Sequence, residues 1–417
     1  MTRFGELAPL WLLIALVAAA VAVAMVSRRF ALPYSVGLVL VGLAISIVGP
    51  DVGLPIGPGP LIDPGLLLAI VLPGLVFEAA FRTDLAVLRP SVVAVVVLAI
   101  PGVVIVAAVV AVVLKATTGL SLTEGFLVGA MVAATDPAAV LSTFRHVAVA
   151  PRLATMVEME SLVNDGTGIV LFALALELLA GQASLGGSIV TFIVSVVGAG
   201  ILGLAAGWLG SWIVRRAHDH LAELTISAVL AYGSYLGAEA AGLSGVIATL
   251  VVAGTFGALA RDGLTPRAVE AIDVVWEFVA FLLTAAVFLL VGLSIAPGAF
   301  VPAAGAIGWG IAAILIARAA VVYGLIGGGS AVLGRIAEAR GRAFASAEAV
   351  PRAWLHVLFW AGLRGAVSVA LALSLPADLP NRNLLQGVTF GIVLFTLIVQ
   401  GSSAGWVVGR SGASTAG

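Results

Sequence analysis

Runs of about 20 predominantly apolar residues, the length an α-helix needs to cross a hydrocarbon core of about 30 Å, recur along this chain from end to end. In lipid every backbone polar group has to be satisfied internally, which leaves only helices or a closed barrel. No segment shows the roughly ten-residue alternation of a membrane barrel. Glycine is abundant, with 50 of the 417 residues, as close helix packing in lipid requires. Hydrophobic residues are 62% of the chain and charged residues 10%, so no soluble fold could hide the apolar surface. The expected fold class is an all-α integral membrane protein of about 13 transmembrane helices.

Hydropathy places those spans near 8–26, 31–49, 61–80, 90–114, 121–142, 158–180, 186–214, 221–240, 243–260, 271–296, 300–326, 354–376 and 384–408. With the N-terminus outside, the inner face collects fifteen arginines: Arg28, Arg29, Arg82, Arg89, Arg145, Arg152, Arg215, Arg216, Arg261, Arg267, Arg335, Arg340, Arg342, Arg352 and Arg410. The outer face receives Arg3, Lys115 and Arg382, and only Arg318 and Arg364 fall within spans. That asymmetry fits the positive-inside rule, with the C-terminus cytoplasmic. The first run follows Arg3 as a secretory signal would, but it is longer than an h-region and leads into Arg28-Arg29, so it reads as a helix. The longest polar segment is the cytoplasmic loop around 327–353, and residues 1–417 read as one polytopic membrane domain with no soluble regulatory tail.

Cysteine is absent, which excludes disulfides and thiolate metal sites. The four histidines, His146, His218, His220 and His356, lie in or beside loops. No cofactor is expected, no nucleic-acid partner, and no enzyme.

Two acidic residues then carry the functional reading, Asp136 in MVAATDPAAV and Asp165 in ESLVNDGTGIV. A carboxylate at membrane depth is costly, and its default meaning is an ion or proton pathway. On a helix Ser161 and Asp165 stack on one face, with Glu160 and Asn164 a second pair about 100° round. A hard monovalent cation wants oxygen ligands, which Ser161 and Asp165 supply together with a charge to balance it. Asn164 can donate a hydrogen bond that positions its neighbours. Simple helix-to-helix glue is the bland alternative, and it rarely needs two carboxylates.

Asp136 follows Thr135 and precedes Pro137, which removes a helical hydrogen bond and disfavours helix geometry at the residue before it. The fifth span is expected to break here and free carbonyls for a cation. Its counterpart is the twelfth span, interrupted at Gly362-Leu363-Arg364-Gly365. Paired interrupted helices in two halves of a chain point to a transporter site. At that depth Arg364 can neutralise an exposed helix C-terminus. Arg318 needs a counter-ion, for which Glu160 is the obvious candidate, as a structural pair. Glu78, in LPGLVFEAAF, is a possible gate or an interfacial charge. Glu177, Glu239 and Glu277 fall near span ends and read as interfacial.

The segments ATDPAAV, ESLVNDGTG, LPGLVFEAAF, GLRGAVSVALALSLP and VLFTLIVQGSS together resemble the signature segments of the sodium/proton antiporters of the cation:proton antiporter family, NhaP/NHE-like branch. The resemblance implies an NhaA-like inverted-repeat antiporter fold with two crossing discontinuous helices. It implies core helices at about 90–180 and 300–408 that move against dimerisation helices at about 1–80 and 186–296. It also implies a homodimer, a Glu160–Arg318 bridge, and an ion site of Thr135, Asp136, Ser161 and Asp165. An Asn164-Asp165 pair is what the resemblance associates with electroneutral exchange.

The expected activity is antiport of Na⁺, Li⁺ or K⁺ against protons across a bacterial plasma membrane, serving pH homeostasis. Na⁺ would bind through Asp165, Ser161, a Thr135 carbonyl and water near Asp136, and protonation of Asp165 would release it. Coupling requires that the carrier cross between inward- and outward-facing states only when loaded. Oxygen ligands alone do not select an ion, so K⁺/H⁺ or broadly monovalent exchange stays open. A channel would need a filter-like segment, and none is evident. An intramembrane aspartyl protease using Asp136 and Asp165 as a dyad is disfavoured by the neighbouring Ser, Thr and Asn.

Overall fold

The structure is a computed structural model that describes residues 8–30, 33–48, 63–144, 147–182, 184–217, 219–295, 298, 300–331 and 349–413. The expectations placed on Arg3, Arg145, His146, His218, Arg335, Arg340 and Arg342, and on most of the loop 327–353, lie outside these residues, as do the side chains of Arg28 and Arg29.

The regular elements are helices. They run α1 Ala8–Phe30, α2 Tyr34–Val48, α3 Pro64–Arg82, α4 Leu85–Thr117, α5 Leu122–Ala133, α6 Ala138–Phe144, α7 Pro151–Leu179 and α8 Leu185–Ala217. Then follow α9 His220–Ala240, α10 Gly245–Ala260, α11 Pro266–Ser294, α12 Phe300–Ala319, α13 Arg352–Trp360, α14 Ala366–Leu373, α15 Arg382–Phe395 and α16 Ser402–Arg410. Among the described residues, nine helical segments are long and apolar enough to cross a membrane, and Val17–Ser27, Tyr34–Val48 and Gly245–Ala260 are shorter apolar helices.

The helix starts are written in local chemistry. Ser121 and Glu124 form a reciprocal capping box at α5, and Asp63, Asp219, Ser244 and Thr265 each accept a backbone N–H at the start of α3, α9, α10 and α11. Pro151 opens α7 at the position where its missing N–H costs nothing. That start lies two turns before the expected 158, and Arg152 anchors it by donating from Nε to Ser91 Oγ at 2.7 Å.

Two breaks interrupt this pattern. Between α5 and α6 the chain is extended at Ala134, ahead of Asp136-Pro137. Between α13 and α14 it leaves the helix from Ala361 to Gly365. Two π-helical stretches, Ala320–Gly327 after α12 and Thr396–Gly401 between α15 and α16, widen the backbone beside the second break.

Packing groups the helices in two sets. In one, α4 lies on α5, α12 on α4 and α15, and α5 on α7. A Cβ on Gly125 or Gly129 would strike the backbone of Ala111 or Ala107, so these small residues one turn apart let α5 approach α4 closely. In the other set α8 and α9 pack on α10, α10 on α3, and α11 on α2 and α3. The sets meet where α7 touches α10 and where α14 touches α3 and α11. Both breaks therefore lie beside this seam.

Candidate functional site

The two breaks cross, and a peptide hydrogen bond joins them: Asp136 N donates to Leu363 O at 2.8 Å. Each broken helix leaves carbonyls without intrahelical partners at one end and N–H groups at the other. Opposite charge meets these ends. Arg364, fully enclosed in the crossing, donates from Nη1 to Ala133 O at 2.6 Å and to Ala134 O at 3.2 Å, at the C-terminus of α5. The carboxylate of Asp136 accepts from Ala138 N at 2.9 Å and from the Ala366 backbone, at the starts of α6 and α14. Gly365 makes this possible, because a Cβ there would overlap the Asp136 carboxylate. Arg364 N is held in turn by Thr396 Oγ1 at 3.0 Å, at the first residue of a π-helical stretch.

Arg318 serves the C-terminus of α13. Its Nη2 and Nε donate to Leu358 O at 2.7 and 3.2 Å. Its fork also meets both carboxylate oxygens of Glu160, Nη1 on Oε1 and Nη2 on Oε2, and both side chains are buried. A bidentate pair of this kind satisfies charge that would otherwise be stranded in a dry interior.

Thr135, Ser161 and Asn164 are brought together as a buried network. Asn164 Oδ1 accepts from Thr135 N at 3.0 Å, Asn164 Nδ2 donates to Thr135 Oγ1 at 2.7 Å, and Thr135 Oγ1 lies 3.0 Å from Ser161 Oγ. Asn164 thereby fixes the broken backbone of one helix to the continuous helix α7. Asp165, next on α7, is only half-buried and senses the charge of Asp136; among the described residues no hydrogen bond or ion pair holds its carboxylate. The arrangement offers the carboxylates of Asp136 and Asp165, the hydroxyls of Thr135 and Ser161 and the non-helical backbone at Thr135 around one seam, a donor set suited to a hard monovalent cation.

Glu78 stands apart on α3, where it accepts from Arg82 Nη1 at 2.8 Å. Arg82 also lies 3.8 Å from Glu277. Glu158 is a residue the sequence reading missed. It sits on α7 two turns before Asp165 on the same face, within electrostatic range of Glu78 and Arg82. The signal was the seven-residue spacing to Asp165. Glu177 and Glu239 are exposed. His356 lies within α13, where its Nδ1 is 2.9 Å from Tyr323 Oη.

Comparison with known proteins matches this architecture. The family model described as "Sodium/hydrogen exchanger, transmembrane" covers residues 12–410. The Na⁺/H⁺ antiporter ApNhaP of Aphanothece halophytica is 37% identical over 389 residues, spanning 91% of this chain and 70% of that protein. The Na⁺/H⁺ antiporter NhaH of Halobacillus aidingensis is 32% identical over 415 residues, spanning 95% of this chain and 96% of the relative. Among solved structures, the sodium proton antiporter MjNhaP1 of Methanocaldococcus jannaschii superposes with a TM-score of 0.72 at 21% identity, covering 96% of this chain and 98% of that one. The overall fold is thus shared with a solved antiporter structure, and with a family match that runs almost the whole length, the chain belongs to the sodium/hydrogen exchanger family.

Proposed function

We propose that this protein is a secondary antiporter that exchanges Na⁺ for H⁺ across a bacterial membrane, with cation and proton competing for Asp165. The observation that carries this reading is the half-buried Asp165 carboxylate, without a protein partner among the described residues, beside the buried Thr135–Ser161–Asn164 network. The membrane-spanning helices, the family and the named antiporter relatives support it.

In this mechanism ionised Asp165 supplies the charge for Na⁺, with Ser161 Oγ, the Thr135 carbonyl and the region of Asp136 completing the oxygen shell. A proton arriving at Asp165 removes that charge, and the cation leaves. Asp136 and Arg364 hold the half-helix ends, and Glu160 with Arg318 braces α7 against α13. The site changes sides when the α4–α5–α7–α12–α15 set slides along the α2–α3–α8–α10–α11 set at the α7–α10 and α14–α3 contacts. Exchange is one for one and electroneutral, on the Asn164-Asp165 pair. The arginine distribution supports an outer N-terminus and a cytoplasmic C-terminus, and the family resemblance supports a homodimer.

Purified protein in liposomes carrying a pH-sensitive dye tests the reading, with Na⁺, Li⁺ or K⁺ added outside. Na⁺ drives proton movement in the wild type and none in Asp165→Asn. Stronger exchange with K⁺ would assign the site to that ion, and wild-type exchange persisting in Asp165→Asn would overturn the role of this carboxylate.

A further inference from the structure

A groove of about 290 Å³ lies between the π-helical stretch Ala320–Gly327, α13 and α16. Tyr323, His356, Phe359, Trp360, Trp406 and Arg410 line it. Its floor is aromatic: Phe359 stacks obliquely between Tyr323 and Trp360, with ring centroids 5.7 and 6.0 Å away. Trp360 Nε1 is already engaged by Gln400 O at 3.1 Å and Ser403 Oγ at 3.0 Å, so its ring is fixed as a wall. Trp406 is 64% exposed on the opposite side.

One end of the groove is cationic. The Arg410 guanidinium lies 4.6 Å above the Trp406 ring and has no carboxylate partner among the described residues. His356 is exposed nearby, bonded to Tyr323 Oη. We propose that this groove binds one anionic phospholipid, with its phosphate on Arg410 and His356 and an acyl chain along Phe359, Trp360 and Trp406. Two of its walls, the stretch through Tyr323 and the stretch through Trp406 and Arg410, belong to Phe300–Ala331 and Arg382–Arg410, segments long and apolar enough to cross a membrane, so lipid is the molecule placed to reach it. An arginine at the mouth of an apolar slot suits a phosphate, which it binds with two parallel hydrogen bonds. A choline headgroup would bring a second cation to the same place. Basic pockets between membrane helices recognise anionic headgroups in this way.

The position gives the lipid leverage. Leu358 O, one residue from Phe359, is the carbonyl that Arg318 holds, and α13 runs directly into the crossing. An acyl chain against Phe359 and Trp360 braces that half-helix. Its effect on exchange rests on the antiport reading, whereas binding does not.

Native mass spectrometry of the full chain in detergent, titrated with phosphatidylglycerol, phosphatidylcholine or inorganic phosphate, tests the site. Phosphatidylglycerol is retained by the wild type, roughly fivefold more weakly by Arg410→Gln, and unchanged by Arg267→Gln, a surface arginine of α11 that removes the same charge. Equal binding of phosphatidylcholine, full competition by phosphate alone, or Arg410→Gln binding like wild type would overturn the proposal. A photoactivatable phosphatidylglycerol on the unmutated protein gives a second reading: labelling within 320–327, 352–360 or 402–410 supports the groove, and labelling confined elsewhere refutes it. Lipid binding at the groove in a protein that moves no protons would support the site while counting against the antiport reading.

Discussion

Asp136 donates its backbone N–H to Leu363 O at 2.8 Å, so the two helix breaks are locked together at the residue whose carboxylate also covers the starts of α6 and α14. Room for this exists only because residue 365 has no side chain. Gly365→Ala drives a methyl into the Asp136 carboxylate, and overpacking of this kind costs about 1–3 kcal/mol. The variant melts at a lower temperature in detergent and loses most of its Na⁺-driven proton movement. A variant with wild-type melting and wild-type rate would show that the breaks are not held at this contact.

Glu160 and Arg318 are a buried pair, and removing one member strands the other. Arg318→Ala leaves the Glu160 carboxylate enclosed without its cation and frees Leu358 O, at a cost of about 3–5 kcal/mol. The double change Glu160→Gln with Arg318→Ala is milder than the losses from Glu160→Gln and Arg318→Ala added together. Thermal denaturation of the four proteins closes this cycle, and simple additivity would remove the coupling.

Asn164→Ala deletes the two hydrogen bonds that fix Thr135 and leaves the Thr135 N–H buried without its acceptor, a penalty of about 1–3 kcal/mol. The apparent Na⁺ affinity weakens as the broken backbone of Thr135 loosens. Fluorescence dequenching of the pH dye over a Na⁺ series reads this directly; an unchanged half-saturating Na⁺ concentration would show that Asn164 does not shape the site.

Competition at Asp165 fixes the sign of the pH dependence. Protonated Asp165 cannot balance a cation, so lowering the pH raises the Na⁺ concentration needed for half-maximal exchange. On the acid side of the titration the change approaches about tenfold per pH unit, the slope of a single exchanged proton. A half-saturating concentration that falls with falling pH contradicts a shared site.

The breaks were legible in the sequence because their causes are local. Pro137 disfavours helix at Asp136, and Gly362 and Gly365, poor helix formers three residues apart, weaken the helix on both sides of Leu363-Arg364. The Glu160–Arg318 contact was legible because two buried opposite charges need each other. The end-capping by Arg364 was only half legible: its role could be inferred, but its acceptors, Ala133 and Ala134, are backbone carbonyls more than two hundred residues away in the chain. The π-helical stretches left no signal, since AVVYGLIG and TLIVQG have the composition of ordinary membrane helix. Glu158 was overlooked because the expected span began at that residue, where a charge passes for interfacial; the earlier start at Pro151 draws it inside α7.

Proton release on Na⁺ binding tests competition at Asp165 most directly. Purified protein in weakly buffered detergent solution, near the midpoint of the Asp165 titration, is mixed with Na⁺ while the free proton concentration is followed by an indicator. Shared occupancy predicts up to about one proton released per Na⁺ bound, and none from Asp165→Asn. Na⁺ binding with no proton release at any pH, or equal release from Asp165→Asn, would contradict it.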